Sequence, residues 1–295
     1  VRCPALNKPT DPDAAVRAYY DQNTAHFSRL GSSAKVRSIH RALWPPGVST
    51  RDQALNVSNE LVLQALLPLA SAPGAAACRL VDLGCGLGGT LFFVLEHFPG
   101  AVHGVGLTLS PVQARLAREY LDGYAGKISA VILTANYLAP PLAPGLDAAY
   151  EIEAFTHASD PSKFFAETAR HLRLGGRLVM VDDFLADARP PADLNHRQWL
   201  HAYRRGWRVP SLHTLDWVRA EAHNHGLALV QEYSLSPWLH YRTLPGRITN
   251  WVLRVGFDLS INDPIWPSML GSLALQHCLQ AGLVEYRLLV FEKQA

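Results

Sequence analysis

Methionine and cysteine are both scarce in this 295-residue chain, with two of the first and four of the second. Cys3, Cys78, Cys85 and Cys278 stand at no spacing that binds metal or forms a redox pair. Free thiols in a reducing cytoplasm are therefore expected, rather than a disulfide framework. A surplus of either charge is missing too: 27 basic residues face 25 acidic ones, a formal net charge of +2, with Lys and Arg scattered through both halves. That excludes the basic footprint of a nucleic-acid-binding protein. No apolar run is long and charge-free enough to span a bilayer. The first ten residues lack the apolar core of a secretory leader, and no internal repeat or low-complexity tract occurs. What is present is a hydrophobic content of 48%, that of a soluble globular protein with one large core, alone or with a cap.

The sequence is organised around Leu80-Val-Asp-Leu-Gly-Cys-Gly-Leu-Gly-Gly-Thr90. It reads as a buried strand that turns through glycines into a helix over 90–97. Gly84, Gly86 and Gly88 let the backbone pass close to a ligand at the mouth of an open sheet, where a helix N-terminus leaves amides free. Gly84, Gly86 and Gly89 also fit the dinucleotide fingerprint. A dinucleotide enzyme needs an acid at the end of the next strand to hold the ribose hydroxyls, and 101–109 contains none. A glycine turn kept only for packing is the plain alternative.

The pattern before this turn predicts a helix over 13–22 capped by Asp11 or Asp13, then a break at Pro45-Pro46-Gly47. Ser49 or Thr50 caps a second helix whose apolar face is Leu55, Val57, Leu61, Val62, Leu66 and Leu67. These helices are expected to cross the cofactor mouth and shield it from water. After the turn, strands at 102–107, 128–133, 147–152 and 177–181 alternate with helices at 111–120 and 161–171. That alternation predicts an α/β fold, a mostly parallel sheet with helices on both faces. A terminal strand over 284–293 is expected to pair near the sheet edge with 227–233, with one or two extra helices between 235 and 280.

Two further stretches resemble a known family. Thr108-Leu-Ser-Pro-Val-Gln-Ala114 is similar to the second motif of tocopherol methyltransferases, and its Thr-Leu-Ser core with Gln113 also resembles cyclopropane fatty acid synthases. Asp147-Ala-Ala-Tyr-Glu-Ile-Glu-Ala-Phe-Thr-His-Ala158 resembles the signature of the C-methyltransferases of the sterol side chain, and Tyr19-Tyr20-Asp21 resembles their tyrosine-rich box. The resemblance is to class I S-adenosylmethionine (SAM) methyltransferases, in the branch that methylates carbon in alkenes and isoprenoids. It implies a Rossmann-like core at 76–185, an N-terminal helical cap at 1–75, a helical lid with an intervening strand at 186–283, and a terminal strand of the core at 284–295.

The same resemblance implies that Asp82, Gly84, Cys85 and Gly86 hold the methionine portion of SAM, with Tyr20 reaching its carboxylate. Thr108, Leu109 and Gln113 stand at the ribose and adenine, hydroxyl and amide replacing the missing acid. Asn136, with Tyr137 beside it, stands where relatives carry an acid toward the adenine amino group. Helix capping before Pro111 is the alternative for Thr108 and Ser110.

Glu153 and His157 are the candidates for chemistry, at the mouth end of the fourth strand. A double bond that takes a methyl group becomes a carbocation, and a carboxylate or imidazole can remove its proton. Glu153 reads equally as a SAM ligand or structural group, His157 as a helix cap, and Glu151 as a salt-bridge partner or second base. No metal is needed, because a sulfonium leaving group is already activated. The sequence departs from the sterol pattern at 27–33 and in the lid, where Trp199, Tyr203, Arg204, Arg205, Trp207 and Arg208 replace acidic residues. These suggest aromatic faces for a cation and arginines for an anionic head, or else an exposed basic face over buried aromatics. Six of the seven tryptophans follow residue 190, which favours an apolar chamber in that half. The expected activity is C-methylation of an unsaturated isoprenoid-like molecule in cytoplasmic specialised metabolism, by a protein compatible with a homo-oligomer. O- or N-methylation of a small aromatic or alkaloid-like molecule is the first alternative, and a non-catalytic scaffold the second.

Overall fold

In a computed structural model, residues 11–30, 36–70, 76–124, 126–241, 244–259, 261 and 263–295 are described. The first ten residues, with Cys3, and residues 31–33 of the departing pattern lie outside them. Helix α1 (Pro12–Leu30) opens where the Asp11 carboxylate accepts from the Asp13 amide at 3.0 Å. It runs past the predicted end at 22 because no Gly or Pro interrupts the sequence before residue 31. Helix α2 (Arg51–Leu66) starts at a full capping box between Thr50 and Gln53.

Among the described residues seven strands form one sheet, in the order β3-β2-β1-β4-β5-β7-β6. They are β1 (Cys78–Leu83), β2 (Val102–Thr108), β3 (Ala130–Thr134), β4 (Leu146–Ile152), β5 (Leu172–Leu185), β6 (Leu227–Ser234) and β7 (Val284–Lys293). The first five are mutually parallel. The terminal strand β7 lies antiparallel between β5 and β6, so it pairs with the expected 227–233 segment and β6 takes the edge. Strand β5 is much longer than the predicted 177–181, because its extension pairs with β7 as far as Leu185↔Val284.

The remaining α-helices among the described residues are α3 (Gly89–His97), α4 (Pro111–Asp122), α5 (Pro161–His171), α6 (Leu194–Trp207), α7 (Leu215–Asn224), α8 (Gly246–Asp258) and α9 (Ile265–Gln280). Alternate strand residues feed two cores. Leu80, Tyr150, Val179 and Leu288 pack on one face, and Val81, Ala149, Met180 and Leu289 on the other. Among the described residues no helix is long and apolar enough to cross a membrane.

The polypeptide reverses its direction of winding between β1 and β4, which pair through Asp82↔Tyr150. In open α/β sheets the crevice beyond the strand ends at such a switch receives the ligand. Here the glycine turn leaves β1 and the Glu153 turn leaves β4 side by side.

Candidate active site

A cavity of about 440 Å³ opens at this switch point. Its floor is the glycine turn. Gly84 and Gly86 have φ of +121° and +53°, and a Cβ on Gly84 would stand 2.6 Å from the Ala154 Cβ. The amides of Gly84 and Cys85 both donate to the Leu107 carbonyl, which leaves those of Gly86 and Leu87 without a backbone acceptor among the described residues at the start of α3. Cys85 is buried, its thiol pushed well up by that burial. Asp82 is buried beside it with no cation among the described residues. Desolvation drives its carboxyl up to about 8, against the opposing effect of the Tyr150 hydroxyl.

One wall holds Thr108, Leu109, Ser110 and Gln113. Ser110 caps α4, accepting from the Gln113 amide at 3.1 Å. Thr108 Oγ1 donates to Gln113 Oε1 at 2.8 Å, which leaves the Gln113 amide nitrogen available to a ligand. Capping and ligand contact are thus shared between neighbouring groups. Helix α1 closes the mouth with Val16, Tyr19, Tyr20 and Phe27. Three bonds pin it to the strand ends: Ser110 Oγ to Asp21 (2.5 Å), Asn136 Nδ2 to Asp13 (2.6 Å), and Tyr20 Oη to His157 Nε2 (2.9 Å).

Glu153 has φ +55°, a left-handed backbone for a residue with a side chain. The turn is held from below by buried Glu151, whose Oε2 accepts from the amides of Ala154 and Phe155 at 2.8 and 3.0 Å. Burial and the nearby Asp182 push the Glu151 carboxyl well up, and it makes no ion pair among the described residues. Glu151 is therefore a brace for the turn; the structure gives it neither of the roles expected from sequence.

Glu153 Oε1 accepts from the Arg41 amide (2.9 Å), Arg41 Nε (3.0 Å) and the Tyr286 hydroxyl (2.9 Å). Its other oxygen bonds nothing among the described residues. Although desolvation pushes the other way, the Arg41 charge and hydrogen bonds hold this carboxyl below its ordinary range. Arg41 also binds Asp183 at 2.8 Å, and its guanidinium lies 4.0 Å from the Tyr286 ring centre. His157 Nδ1 lies 3.2 Å from the Arg208 carbonyl, which can only accept. Nδ1 therefore carries the proton, and Nε2 accepts from Tyr20. Burial lowers this imidazole to about 4, leaving it neutral.

Of the residues expected at the cofactor, Tyr20, Asp82, Gly84, Cys85, Gly86, Thr108, Leu109, Gln113 and Tyr137 all line the cavity. Asn136 does not: its side-chain oxygen accepts from the Leu138 amide at 2.8 Å, and its nitrogen holds Asp13. Trp207 lines the cavity, but Trp199, Tyr203, Arg204 and Arg205 do not. Trp199 bonds Asn250, Tyr203 bonds Asp183, and Arg205 lies over the Phe257 ring. Arg204 reaches the carbonyl of Pro210, and Arg208, also outside the lining, closes α6. Arg41, Asp183 and Tyr286 were missed. The adjacent acids Asp182-Asp183 inside an apolar run were a visible signal, whereas Arg41 sits in an aperiodic segment that gave none.

Residues 81–178 match the family described as "Methyltransferase domain". The protein carries a methyltransferase domain. It is 29% identical to the 24-methylenesterol C-methyltransferase 2 of Oryza sativa subsp. japonica over 73% of this chain and 58% of that one. It therefore spans under two thirds of the length of that relative. A tocopherol O-methyltransferase of Arabidopsis thaliana is 26% identical over 58% of this chain and 41% of its own. An O-methyltransferase of Pyrenophora dematioidea is 26% identical over 86% of this chain and 89% of its own. The domain's architecture is the class I methyltransferase fold. The cyclopropane synthase MmaA2 of Mycobacterium tuberculosis superposes with a TM-score of 0.74 at 20% identity, covering 97% of this chain and all of that one. A geranyl diphosphate C-methyltransferase of Streptomyces coelicolor A3(2), solved with Mg2+, geranyl diphosphate and S-adenosyl-L-homocysteine, superposes at 0.69 and 19% identity, covering 98% and 100%.

Proposed function

We propose that this protein is a SAM-dependent methyltransferase that methylates carbon in an unsaturated, isoprenoid-like molecule, in a cytoplasmic pathway of specialised metabolism. The cavity residues fit the donor. Asp82, a buried acid with no cation beside it, suits a ligand ammonium. The free amides at Gly86 and Leu87 suit a carboxylate, and Gln113 and Thr108 suit ribose or adenine. Bound there, SAM would supply an electron-poor methyl group on a leaving group that needs no further activation.

The observation that carries the choice of carbon is the placement of Glu153, ion-paired to Arg41, at the cavity wall. An ionised carboxylate with one uncommitted oxygen borders an apolar cavity walled by Tyr19, Tyr20, Phe27 and Trp207. Carboxylate and aromatic faces both favour a positive charge developing on a substrate carbon. Arg41 and Tyr286 keep Glu153 weakly basic, so its role is electrostatic. Proton removal falls to the Tyr20–His157 pair. Tyr20 Oη takes the proton from the carbon next to the cation and passes its own to His157 Nε2, while the electron pair of the broken C–H bond closes a new double bond.

The cavity wall is mostly apolar, and Arg37, Arg41 and Arg51 also line it. Arg204, Arg205 and Arg208 lie outside the cavity, so no anionic head is assigned to them. A second reading, O-methylation of a small phenol, draws on the Pyrenophora relative and would use the same Tyr20–His157 pair as base. Labelled SAM incubated with linear and cyclic terpenes, prenyl diphosphates and phenols separates the two. Label in an olefin, with a new C–C bond by NMR, is expected; label in phenols alone refutes C-methylation.

A further inference from the structure

The lid arginines belong to a different surface. Helix α6 presents Arg197, His201 and Arg204 outward in one stripe at helical spacing, and exposed Arg208 follows at its C-terminal cap. Beside it, α8 is held by Asn250, which binds Asn195 at 2.7 Å and Trp199 at 2.7 Å. Positions 247, 250 and 254 of α8 share the side toward α6, so exposed Arg247 and Arg254 extend the basic strip. No Asp or Glu occurs in 194–208 or in 233–257, in a protein whose net charge is only +2.

The adjoining face of α8 is apolar where a surface helix should be polar. Ile248 and Trp251 are 48% and 60% exposed, Leu244 extends the stripe one turn earlier, and Leu194 at the start of α6 is 75% exposed. The inward face of the same helix is already satisfied by Thr249, Leu253 and Gly256. Exposed Leu259 and Ile261 continue the apolar series to Met269, which is also a wall of the cavity. The α8 part of this stripe, with its Trp, is bordered by arginines and carries no carboxylate before exposed Asp258 at its C-terminal end, which makes it complementary to the headgroup layer of an anionic bilayer.

We propose that the outer face of α6 and α8 docks on an anionic lipid surface, lying in the headgroup layer without crossing it. Leu194, Ile248 and Trp251 enter the acyl boundary while Arg247 and Arg254 meet lipid phosphates, and the cavity wall at Met269 is brought beside the layer. This surface is independent of the methylation reading, because its test needs no turnover.

The full-length protein is sedimented with vesicles of phosphatidylcholine alone or mixed with phosphatidylserine. Binding to the mixed vesicles, weakened by salt and poor on the neutral ones, is expected. Each of Arg247→Gln and Arg254→Gln should weaken it about fivefold. Ile248→Glu with Trp251→Glu should weaken it by about tenfold or more, with an unchanged circular dichroism spectrum and unchanged SAM binding. Absence of vesicle binding overturns the proposal, and so does binding that survives the double glutamate variant. A wild-type dimer that the same variant dissociates, without vesicle binding, overturns it in favour of a second copy as the occupant.

Discussion

Replacing Glu153 by Gln tests the proposed chemistry most directly, because it changes charge with little change in shape. The carboxylate accepts three hydrogen bonds through Oε1, and the Gln carbonyl can keep them. Arg41 retains Asp183 as its counter-ion, so the stability cost should be about 1–2 kcal/mol, a Tm loss of about 2–6 °C. Catalysis should suffer more. At the effective dielectric of a partly desolvated site, a unit charge in contact range contributes about 4 kcal/mol. Arg41 already neutralises part of it, so roughly half to three quarters of that is lost from the transition state, a fall in turnover of about thirtyfold to about a hundred-and-fiftyfold. With the donor held by Asp82 and the glycine turn as proposed, SAM affinity should stay within about threefold of wild type. Single-turnover transfer from labelled SAM and calorimetric SAM binding are the paired assays. Turnover within about threefold of wild type would refute the electrostatic role, and matched losses in both assays would assign Glu153 to donor binding.

Asp82→Asn should stabilise the ligand-free protein while weakening SAM about a hundredfold. Folded Asp82 keeps its proton up to about 8, whereas the unfolded state releases it near the ordinary 3.8. The native state therefore binds more protons in between, and wild-type stability falls as pH rises through that window. The gain in the Asn variant should grow by about 2 kcal/mol from about pH 6 to about pH 8, and thermal melts showing a pH-independent gain would contradict this. Gly84→Ala should cost about 2–4 kcal/mol, since its Cβ meets the Ala154 Cβ at 2.6 Å on a backbone at φ +121°. Gly86→Ala, with only Ile39 Cδ1 at 3.9 Å, should cost about 1–2 kcal/mol from backbone strain alone; equal denaturation midpoints would contradict the difference. Asn136→Ala should lose about 1–2 kcal/mol with its bonds to Asp13 and Leu138 yet leave SAM affinity within about twofold, as calorimetry can establish.

What was legible in the sequence is what local pattern encodes. Alternation of strand and helix, the glycines after Asp82, the capping residues Thr50 and Ser110, and the pairing of the last strand with 227–233 all follow from period, turn chemistry and edge position. The placement of Glu153 and His157 at the cavity follows as well, because both leave the end of a strand beside the glycine turn. The lid was less legible: Trp199 and Arg205 satisfy the same pattern as a pocket wall, but each is committed to α8 instead.

The sequence by itself determined the doubly wound sheet and the side of it on which a ligand must lie, since both depend on residues near one another along the polypeptide. Only the tertiary structure decided how the two candidate groups differ. Glu153 stays ionised because Arg41, 112 residues away, reaches it, and His157 stays neutral because burial disfavours its charged form more than the Arg208 carbonyl and the Glu153 charge favour it. A charge state depends on what lies within a few ångströms in space, and Arg41 reaches Glu153 from a segment that carries no local sign of it.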